Sequence, residues 1–334
     1  MEIKNQPLVS IGVPVFNGER GLVCALDSLL KQDYPNLEII ISDNASTDTT
    51  AEICAQYARK DSRVKYYRSD KNFGVTWNFN RVFELSSGEY FMWAAYDDKR
   101  ELSFVSACVQ KLEQCPDAVL CQAYTAIYIG GRKEVLCVTN LNSFEGVAGL
   151  VGRYREVLKR FPATAIYGLY RSSAMRKTRM YQKVIATDLA FIQELSIYGK
   201  FVQVPKILFN FFGREKWNTI QQDYQVFFGE KRKPLWYLPF VVLFCEHCKR
   251  VAAARVPFFV KLCLWRVLIQ DQIEQVAIKI LIKVVGLFCP KAWKEKIGCA
   301  IYWRWMHNLN FKVDCEMLFL EKVIKPRLGW WRYG

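Results

Sequence analysis

Acidic side chains follow two apolar segments in the first part of the chain, at Asp43 and at the adjacent pair Asp97 and Asp98. Two like charges at the end of a buried strand repel each other unless a cation or hydrogen bonds compensate them. Mg²⁺ and Mn²⁺ prefer oxygen ligands, and such ions bind through carboxylates together with substrate phosphates. The pair therefore predicts a divalent metal site, with solvated loop carboxylates as the alternative.

Asp43 and the turn 14–19 each follow a predicted strand. A carboxylate at a strand end can accept hydrogen bonds from a base or a ribose hydroxyl. The alternative is a loop aspartate or a helix N-cap, which we prefer for Asp48. The turn 14–19 contains Pro, Asn and Gly and predicts a rigid exit into a helix, which on turn chemistry alone needs no ligand. The usual dinucleotide and P-loop glycine motifs do not occur in the sequence.

Short apolar runs alternate with helix-length amphipathic segments over the first 124 residues, a pattern typical of βαβ units. The predicted strands are 8–13, 37–42, 64–68, 90–94 and 118–124, and the predicted helices are 19–31, 49–60, 75–86 and 102–114. We therefore predict an α/β fold with a mostly parallel central sheet and flanking helices. Ligands of such sheets bind beyond the carboxyl ends of the strands, where the acidic residues lie.

The pattern is less regular from residue 124 to 213. It indicates a hairpin around 130–131, a helix at 149–160, a strand at 165–170 and a helix at 188–198 that is followed by 201–204 and Pro205. We predict that residues 1–213 form one catalytic domain. Residues 214–334 are predicted to form a helical, basic and aromatic C-terminal extension.

Composition limits the class of protein. The chain has 334 residues, 51% of them hydrophobic, so disorder is excluded as its main state. Its 12 cysteines are scattered singly, as free thiols are in a reducing compartment. The N-terminus lacks the apolar region of a signal peptide, and the longest apolar stretch, 235–245, is too short and too interrupted to span a bilayer. We expect a cytoplasmic protein.

Positive charge is concentrated in the C-terminal extension. The formal net charge is +15, and the residues after Trp217 hold 19 Lys and Arg against 9 Asp and Glu. The apolar segments 256–269 and 276–289 each carry basic residues, a combination typical of interfacial helices. We predict that the extension binds the anionic cytoplasmic face of a membrane. The alternative is that it packs on the catalytic domain or forms a dimer.

Four motifs in this order resemble the family 2 glycosyltransferases, which have the A-type nucleotide-sugar fold. They are VPVFNGE at 13–19, SDNASTD at 42–48, NFGVTWNFN at 72–80 and WAAYDD at 93–98. The resemblance implies a nucleotide site that includes the opening turn and Asp43, with Mn²⁺ or Mg²⁺ bound on the donor diphosphate. Tyr96 occupies the first position of the family's D-x-D element, so the resemblance places the metal mainly on Asp98.

The same resemblance implies a role for each candidate residue. The predicted nucleotide-binding residues are Pro14, Val15, Phe16, Asn17, Glu19, Asp43, Asn72, Gly74 and Asp97. The implied general base is Asp188, where Thr187 replaces the commoner glutamate of the family's acidic pair. A structural aspartate at the start of a helix is the alternative. The two histidines, His247 and His307, both lie in the extension.

The resemblance implies an inverting, metal-dependent glycosyltransferase. Its donor would be a nucleoside-diphosphate sugar and its acceptor a saccharide or a lipid-linked saccharide, in polysaccharide or glycoconjugate biosynthesis. Two alternatives use the same scaffold without catalysis: a basic nucleic-acid-binding protein, or a protein that only binds a membrane surface. We expect no nucleic-acid partner, because the positive charge lies among apolar segments.

Overall fold

The structure is a computed structural model that describes residues 6–130, 134–139, 147, 149–160, 163–213, 220–228, 234 and 237–288. Its strands are β1 (Val9–Val15), β2 (Leu37–Asp43), β3 (Val64–Arg68), β4 (Tyr90–Trp93), β5 (Lys99–Arg100), β6 (Ala118–Ile129), β7 (Cys137–Thr139), β8 (Leu169–Arg171) and β9 (Lys200–Gly213). Its helices are α1 (Leu22–Leu30), α2 (Thr50–Lys60), α3 (Val75–Glu84), α4 (Phe104–Gln114), α5 (Leu150–Arg160), α6 (Ser172–Met175), α7 (Thr187–Tyr198), α8 (Ile220–Phe228), α9 (Pro239–Ala253) and α10 (Phe258–Phe288).

The described strands form one sheet in the order β3-β2-β1-β4-β8-β6-β9-β5, and β7 pairs with β6. Strands β3, β2, β1 and β4 are parallel, as are β6 and β9. Strand β8 is antiparallel to both of its neighbours and joins the two parallel groups. The α/β prediction with flanking helices is confirmed.

Both faces of the sheet are covered, which explains why β1, β2 and β4 are buried along their whole length. On β2, Ile39 and Ile41 belong to one buried cluster and Ile40 belongs to another on the opposite face. Helices α1, α2 and α4 cover the first face, while α3 and α7 cover the second. Alternation of side chains across the strands therefore fills two cores at once.

Two of the differences between predicted and observed elements have a clear local cause. Helix α1 begins at Leu22 and not at 19, because the preceding residues form a turn that is hydrogen-bonded to the segment after β2. The strand predicted at 165–170 is a 3₁₀ helix (Ala163–Tyr167) followed by β8. Gly168 separates them, and a Cβ there would lie 2.6 Å from the Cys121 carbonyl oxygen. This close approach of two backbones requires glycine.

The described part of the C-terminal extension packs on the catalytic half. Buried residues of α9 and α10 form a third apolar cluster with α5 and α7, which includes Val251, Leu264 and Leu268 from the extension and Tyr154 and Ile197 from the catalytic half. On this face the extension packs on the catalytic half, which was the alternative to membrane binding. The domain division at 213/214 stays a prediction. Among the described residues, no helix is both long enough and apolar enough to cross a membrane.

Candidate active site

The predicted nucleotide and metal motifs meet at one edge of the sheet. Strands β1, β2, β3 and β4 are parallel neighbours, so their carboxyl ends lie together. Each of these ends leads into one of the motifs, at residues 16–19, 44–48, 72–74 and 95–98. The fold therefore brings together segments that are up to about eighty residues apart in sequence, as expected for a doubly covered α/β sheet.

The turns after β1 and β2 are held together by hydrogen bonds. The backbone N–H of Asn17 donates to Ser46 Oγ (2.9 Å), and Asn17 Oδ1 accepts from the backbone N–H of Thr47 (2.9 Å). Gly18 N–H donates to Thr50 Oγ1 (2.8 Å). Asn17 has a positive φ of 52°, a conformation that asparagine tolerates better than most residues. Asn17 thus fixes the relative position of the two turns.

Glu19 and Asp48 extend this connection at the start of α2. Glu19 Oε2 accepts from Thr49 Oγ1 (3.1 Å), and the backbone N–H of Glu19 donates to Asp48 Oδ2 (3.2 Å). Asp48 Oδ1 accepts from the backbone N–H of Thr50 (3.1 Å), the first residue of the helix. Asp48 therefore stabilises the helix start, in line with the interpretation preferred for it from sequence.

Asp43 is completely buried at the end of β2. Its Oδ1 accepts from the backbone N–H of Ser46 (2.8 Å), and its Oδ2 accepts from the hydroxyl of Tyr66 (3.0 Å). The Arg68 Nε atom lies 3.5 Å from the same Oδ2. Burial and the Asp43 carboxylate raise the pKa of Tyr66, so the phenol stays a proton donor. Asp43 therefore stabilises the turn after β2 through its hydrogen bond with the backbone of Ser46. Its contact with a nucleotide stays a prediction.

Asn72 and Gly74 form the turn that precedes α3. Asn72 Oδ1 accepts from Asn44 Nδ2 (2.8 Å) and from the backbone N–H of Gly74 (2.8 Å). Gly74 has a φ of 89°, which favours glycine. This turn is thereby connected to the turn after β2. Two aromatic residues of these turns, Phe16 and Phe73, are 41% and 43% exposed.

Pro14 and Val15 are buried in the last part of β1. The Val15 carbonyl accepts from the backbone N–H of Asn44 (2.9 Å) and from Asn78 Nδ2 (3.2 Å). Asn78 Nδ2 also donates to the Ser42 carbonyl (2.9 Å), so it connects the ends of β1 and β2. The predicted roles of Pro14 and Val15 in nucleotide binding stay predictions. Their observed role is to anchor the turn that carries Phe16 and Asn17.

The acidic pair lies against the first turn. A Cβ at Gly21 would lie 2.9 Å from the Cα of Asp97, and one at Gly18 would lie 3.0 Å from the Tyr96 ring. Asp98 is 3% exposed, and its Oδ1 accepts from the backbone N–H of Phe212 on β9 (2.9 Å). Glycine at these two positions therefore lets the acidic pair approach the opening turn.

Asp98 fits the ligand set of a divalent cation. Its Oδ2 is buried and has no hydrogen-bond partner among the residues that the structure describes. Burial raises the pKa of Asp98 to about 7, while the Phe212 N–H and Arg100 oppose the rise. No cluster of three or more His, Cys, Asp or Glu occurs in the described ranges, so this part of the chain supplies at most two such ligands. Mg²⁺ and Mn²⁺ with one or two carboxylates complete their coordination with substrate phosphates and water.

Arg100 is a residue of this site that our sequence analysis missed. It is 2% exposed, its Nη2 donates to the carbonyls of Trp93 (3.1 Å) and Tyr167 (3.0 Å), and its guanidinium lies 4.1 Å from the Phe209 ring centroid. Burial lowers the pKa of Arg100 to about 10, and Asp98 opposes this change. The guanidinium thus remains a cation at neutral pH and offsets the charge of Asp98. The feature of the sequence that could have indicated this role of Arg100 is its position two residues after Asp98.

Asp188 lies in the first turn of α7. Burial raises the pKa of Asp188, while the backbone N–H of Leu189 lowers it and Asp223 on α8 raises it further. The Tyr181 hydroxyl, another electrostatic neighbour of Asp188, is buried and has no hydrogen-bond partner within the described part of the chain. Asp188 thus lies at a helix N-terminus, which favours its ionised form. It also lies near a buried tyrosine, which disfavours that form.

Tyr167 lies near both the predicted metal ligand, Asp98, and the predicted base, Asp188. Burial raises the pKa of its hydroxyl, and the charges of Asp98, Asp97 and Asp188 raise it further, in that order of size. The three carboxylates are therefore electrostatic neighbours of one tyrosine, although Asp188 is far from the other two in sequence. The structure thus brings the predicted metal ligand and the predicted base into one site.

Comparisons with characterised sequences identify related proteins over part of the chain. Glycosyltransferase GlyG of Streptococcus pneumoniae is 31% identical over 107 residues, which is 32% of this chain and 36% of that protein. The GalNAc(5)-diNAcBac-PP-undecaprenol beta-1,3-glucosyltransferase of Campylobacter jejuni is 33% identical over 110 residues, or 32% of this chain and 35% of that protein. The matches span about a third of the length of these curated relatives.

Solved structures share the fold over most of the chain. TarS of S. aureus (residues 1–349) in complex with UDP has a TM-score of 0.57 and 15% identity, covering 97% of this chain and 86% of that one. Mannosyltransferase PcManGT from Pyrobaculum calidifontis, in complex with GDP-Man and Mn²⁺, has a TM-score of 0.50 and 15% identity, covering 91% and 88%. Residues 10–183, just over half of the chain, match Glycosyl transferase family 2. The chain therefore belongs to this family.

Proposed function

We propose that the protein transfers a sugar from a nucleoside-diphosphate sugar to an acceptor hydroxyl, with inversion at the anomeric carbon. The observation that carries the proposal is the buried Asp98 Oδ2, which has no hydrogen-bond partner among the described residues, with Asp188 as a second carboxylate near the same tyrosine, Tyr167. A transferase of this kind needs charge compensation at the leaving diphosphate and proton removal from the acceptor. Asp98 and Asp188 are the groups suited to these two tasks.

Asp188 is proposed to accept the proton of the acceptor hydroxyl as that oxygen attacks the anomeric carbon. The bond between that carbon and the diphosphate oxygen breaks, and the nucleoside diphosphate leaves on the opposite face of the sugar. A raised pKa makes the Asp188 carboxylate a stronger base. Only the ionised form can act, so turnover should fall as the pH drops through that pKa.

The donor is proposed to bind at the edge formed by the four turns. Phe16 is exposed there and offers a ring face to a base, while Asn17 and Glu19 keep the turns after β1 and β2 in place. The complexes of TarS with UDP and with UDP-GlcNAc support a nucleotide-sugar donor in this fold. Asp43, Asn72, Gly74 and Asp97 are proposed to complete this site.

A divalent cation bound at Asp98 would neutralise part of the negative charge that develops on the leaving diphosphate. The buried and unpartnered Asp98 Oδ2 supports this ligand, and the Mn²⁺ complex of PcManGT supports the choice of Mn²⁺ or Mg²⁺. Arg100 is proposed to keep Asp98 ionised and in place through its charge and its two backbone contacts. Arg100 is thus a positioning residue.

The acceptor is proposed to be a saccharide or a lipid-linked saccharide in polysaccharide or glycoconjugate synthesis. Its support is the Campylobacter relative, whose name states a glucosyltransferase acting on an undecaprenol-diphosphate-linked saccharide. Helix α8 lies on the acceptor side of this arrangement, since Asp223 is an electrostatic neighbour of Asp188. We propose that acceptors enter between α8 and the start of α7.

The purified full chain should bind a nucleoside-diphosphate sugar and release the nucleoside diphosphate in the presence of Mn²⁺ and an acceptor. A thermal-shift screen of UDP-, GDP- and dTDP-sugars, with and without Mn²⁺, identifies the donor, because a ligand specific for the native state raises its stability. The selected donor is then used with saccharide acceptors, and product configuration is determined by NMR. Retention of configuration, or no metal-dependent release with any donor, would contradict the proposal.

Asp98→Asn should raise the Mn²⁺ concentration needed for half-maximal turnover by about tenfold or more, because a neutral amide is a much poorer ligand for a hard cation. The measurement is a metal titration of donor-dependent thermal stabilisation and of turnover. Asp33→Asn makes the same chemical change at an exposed position and should leave both curves unchanged. An Asp98→Asn curve that coincides with wild type would exclude Asp98 as the ligand.

A further inference from the structure

Helix α10 is apolar on two opposite sides. Its inner side packs on the catalytic half through Leu264, Val267 and Leu268, which are at most 4% exposed. Its other side carries large apolar residues that are half to two-thirds exposed, here called the α10 outer face: Phe258, Phe259, Leu262, Ile269, Ile273 and Val276. A helix that is apolar all round is normally covered all round. Within the described ranges, the α10 outer face has no such cover.

The exposed residues form a stripe and not scattered single positions. Phe258, Leu262, Ile269, Ile273 and Val276 follow one another at intervals of four, seven, four and three residues, which places them on one side of a helix. At 1.5 Å per residue the stripe is about 27 Å long. Contiguous exposed patches of this kind mark interaction sites, whereas single exposed apolar residues need no explanation.

Basic residues accompany this stripe. Arg266 lies between its apolar residues, and Arg255 is exposed just before α10 begins. Lys261 is also basic, and its Nζ donates to the Ala252 carbonyl at the end of α9 (2.6 Å).

The acidic residues of this part of α10 do not cancel that charge. Glu274 is paired with Lys159 at 3.3 Å, and Asp271 is 8% exposed. The surface beside the stripe is therefore positive, and its partner should be anionic as well as apolar.

We propose that the α10 outer face lies flat on an anionic phospholipid membrane, with Phe258 and Phe259 inserted among the headgroups. Such a surface satisfies the apolar stripe and the basic side chains at once, because lysine and arginine reach the headgroups from a buried stem. A second copy fits less well, since a two-fold contact through the same face would oppose like charges. This proposal is independent of the transfer reaction.

Flotation with vesicles tests the proposal on the full chain. Wild type should float with vesicles of phosphatidylcholine and phosphatidylglycerol, bind vesicles of phosphatidylcholine alone more weakly, and lose binding at high salt. The variant Phe258→Gln with Phe259→Gln should bind the mixed vesicles at least about tenfold more weakly. The control Val23→Gln with Leu102→Gln changes two exposed apolar residues elsewhere and should bind as wild type does. Wild-type binding by the Phe258/Phe259 variant, or no binding by wild type, would overturn the proposal.

Thiol alkylation followed by mass mapping tests whether residues 289–334 or a second copy cover the α10 outer face instead. Cys263 and Cys24 are both exposed, the first on α10 and the second on α1. In the free chain both should be alkylated, and vesicles should protect Cys263 but not Cys24. Protection of Cys263 without vesicles would show that the face is covered by residues 289–334 or by a second copy, and either result overturns the proposal. Light scattering of wild type and the Phe258/Phe259 variant separates these two results.

Discussion

Asp188→Asn is expected to lower turnover by about 10²- to 10⁴-fold, the usual contribution of a general base. Asparagine is similar in size and can accept the hydrogen bonds of the helix start, so α7 should remain intact. It cannot take up the proton of the acceptor hydroxyl. The measurement is the turnover number with the donor identified by thermal shift and a saturating acceptor.

Donor binding distinguishes this role from a structural one. Asp188→Asn should leave the donor-induced thermal stabilisation unchanged, because the base acts on the acceptor. Its residual turnover should also lose the decline toward acid pH that the wild-type carboxylate imposes, since burial raises the pKa of Asp188. Loss of donor affinity together with turnover would place Asp188 in the donor pocket. Asp223→Asn is the matched control: it removes a neighbouring negative charge, should shift that acid limb to lower pH, and should keep most of the turnover.

The central sheet could be predicted from sequence because its strands are buried on both faces. Runs such as Leu37–Asp43 have an apolar centre, Ile39–Ile41, and the helices between them have clear amphipathic periods. The acidic residues at the ends of these runs could be placed at one edge, since parallel strands end together. Local pattern and global fold agree in this part of the chain, and the predictions made for it were accurate to within a few residues.

Side-chain partners could not be predicted in this way. The burial of Asp43 depends on Tyr66 and Arg68, which stand on a neighbouring strand whose register is fixed by tertiary packing. Arg100 stands in the charged stretch 97–101 of the sequence, yet the Phe104 and Phe209 rings enclose it. Such contacts arise between distant segments and leave no periodic signal in the sequence. The role of each residue therefore becomes visible only when its neighbours are known.

Helices α9 and α7 are joined by a buried ion cluster around Arg250. Arg250 Nη1 lies 2.6 Å from Glu194 Oε2, and both side chains are 1% exposed. Its Nη2 donates to the carbonyl of Met180 (2.8 Å), and its Nε lies 2.9 Å from Glu246 Oε1. Glu194 also accepts from the backbone N–H of Arg179 (3.0 Å). This ion cluster thus joins the extension, the loop before α7, and α7 itself, whose first turn contains Asp188.

Arg250→Met is expected to lower the free energy of unfolding by about 3–5 kcal/mol, because it leaves buried carboxylates without their cation. Methionine keeps most of the volume of the side chain, so the loss reports charge and hydrogen bonds more than packing. The measurement is urea unfolding followed by tryptophan fluorescence. Lys249→Met, the same chemical change at the exposed preceding residue, should alter stability by less than about 0.5 kcal/mol.

A double variant shows whether the uncompensated charge causes this loss. Glu194→Gln combined with Arg250→Met removes the buried carboxylate that Arg250 contacts most closely, and it should recover part of the stability lost in Arg250→Met alone. A loss below about 1 kcal/mol for Arg250→Met would mean that α9 does not pack on α7 in solution. A chain ending near residue 213 loses Arg250 together with the apolar cover that α9 and α10 give to α5 and α7. Such a truncation should then be unstable even though it retains every predicted residue of the donor site.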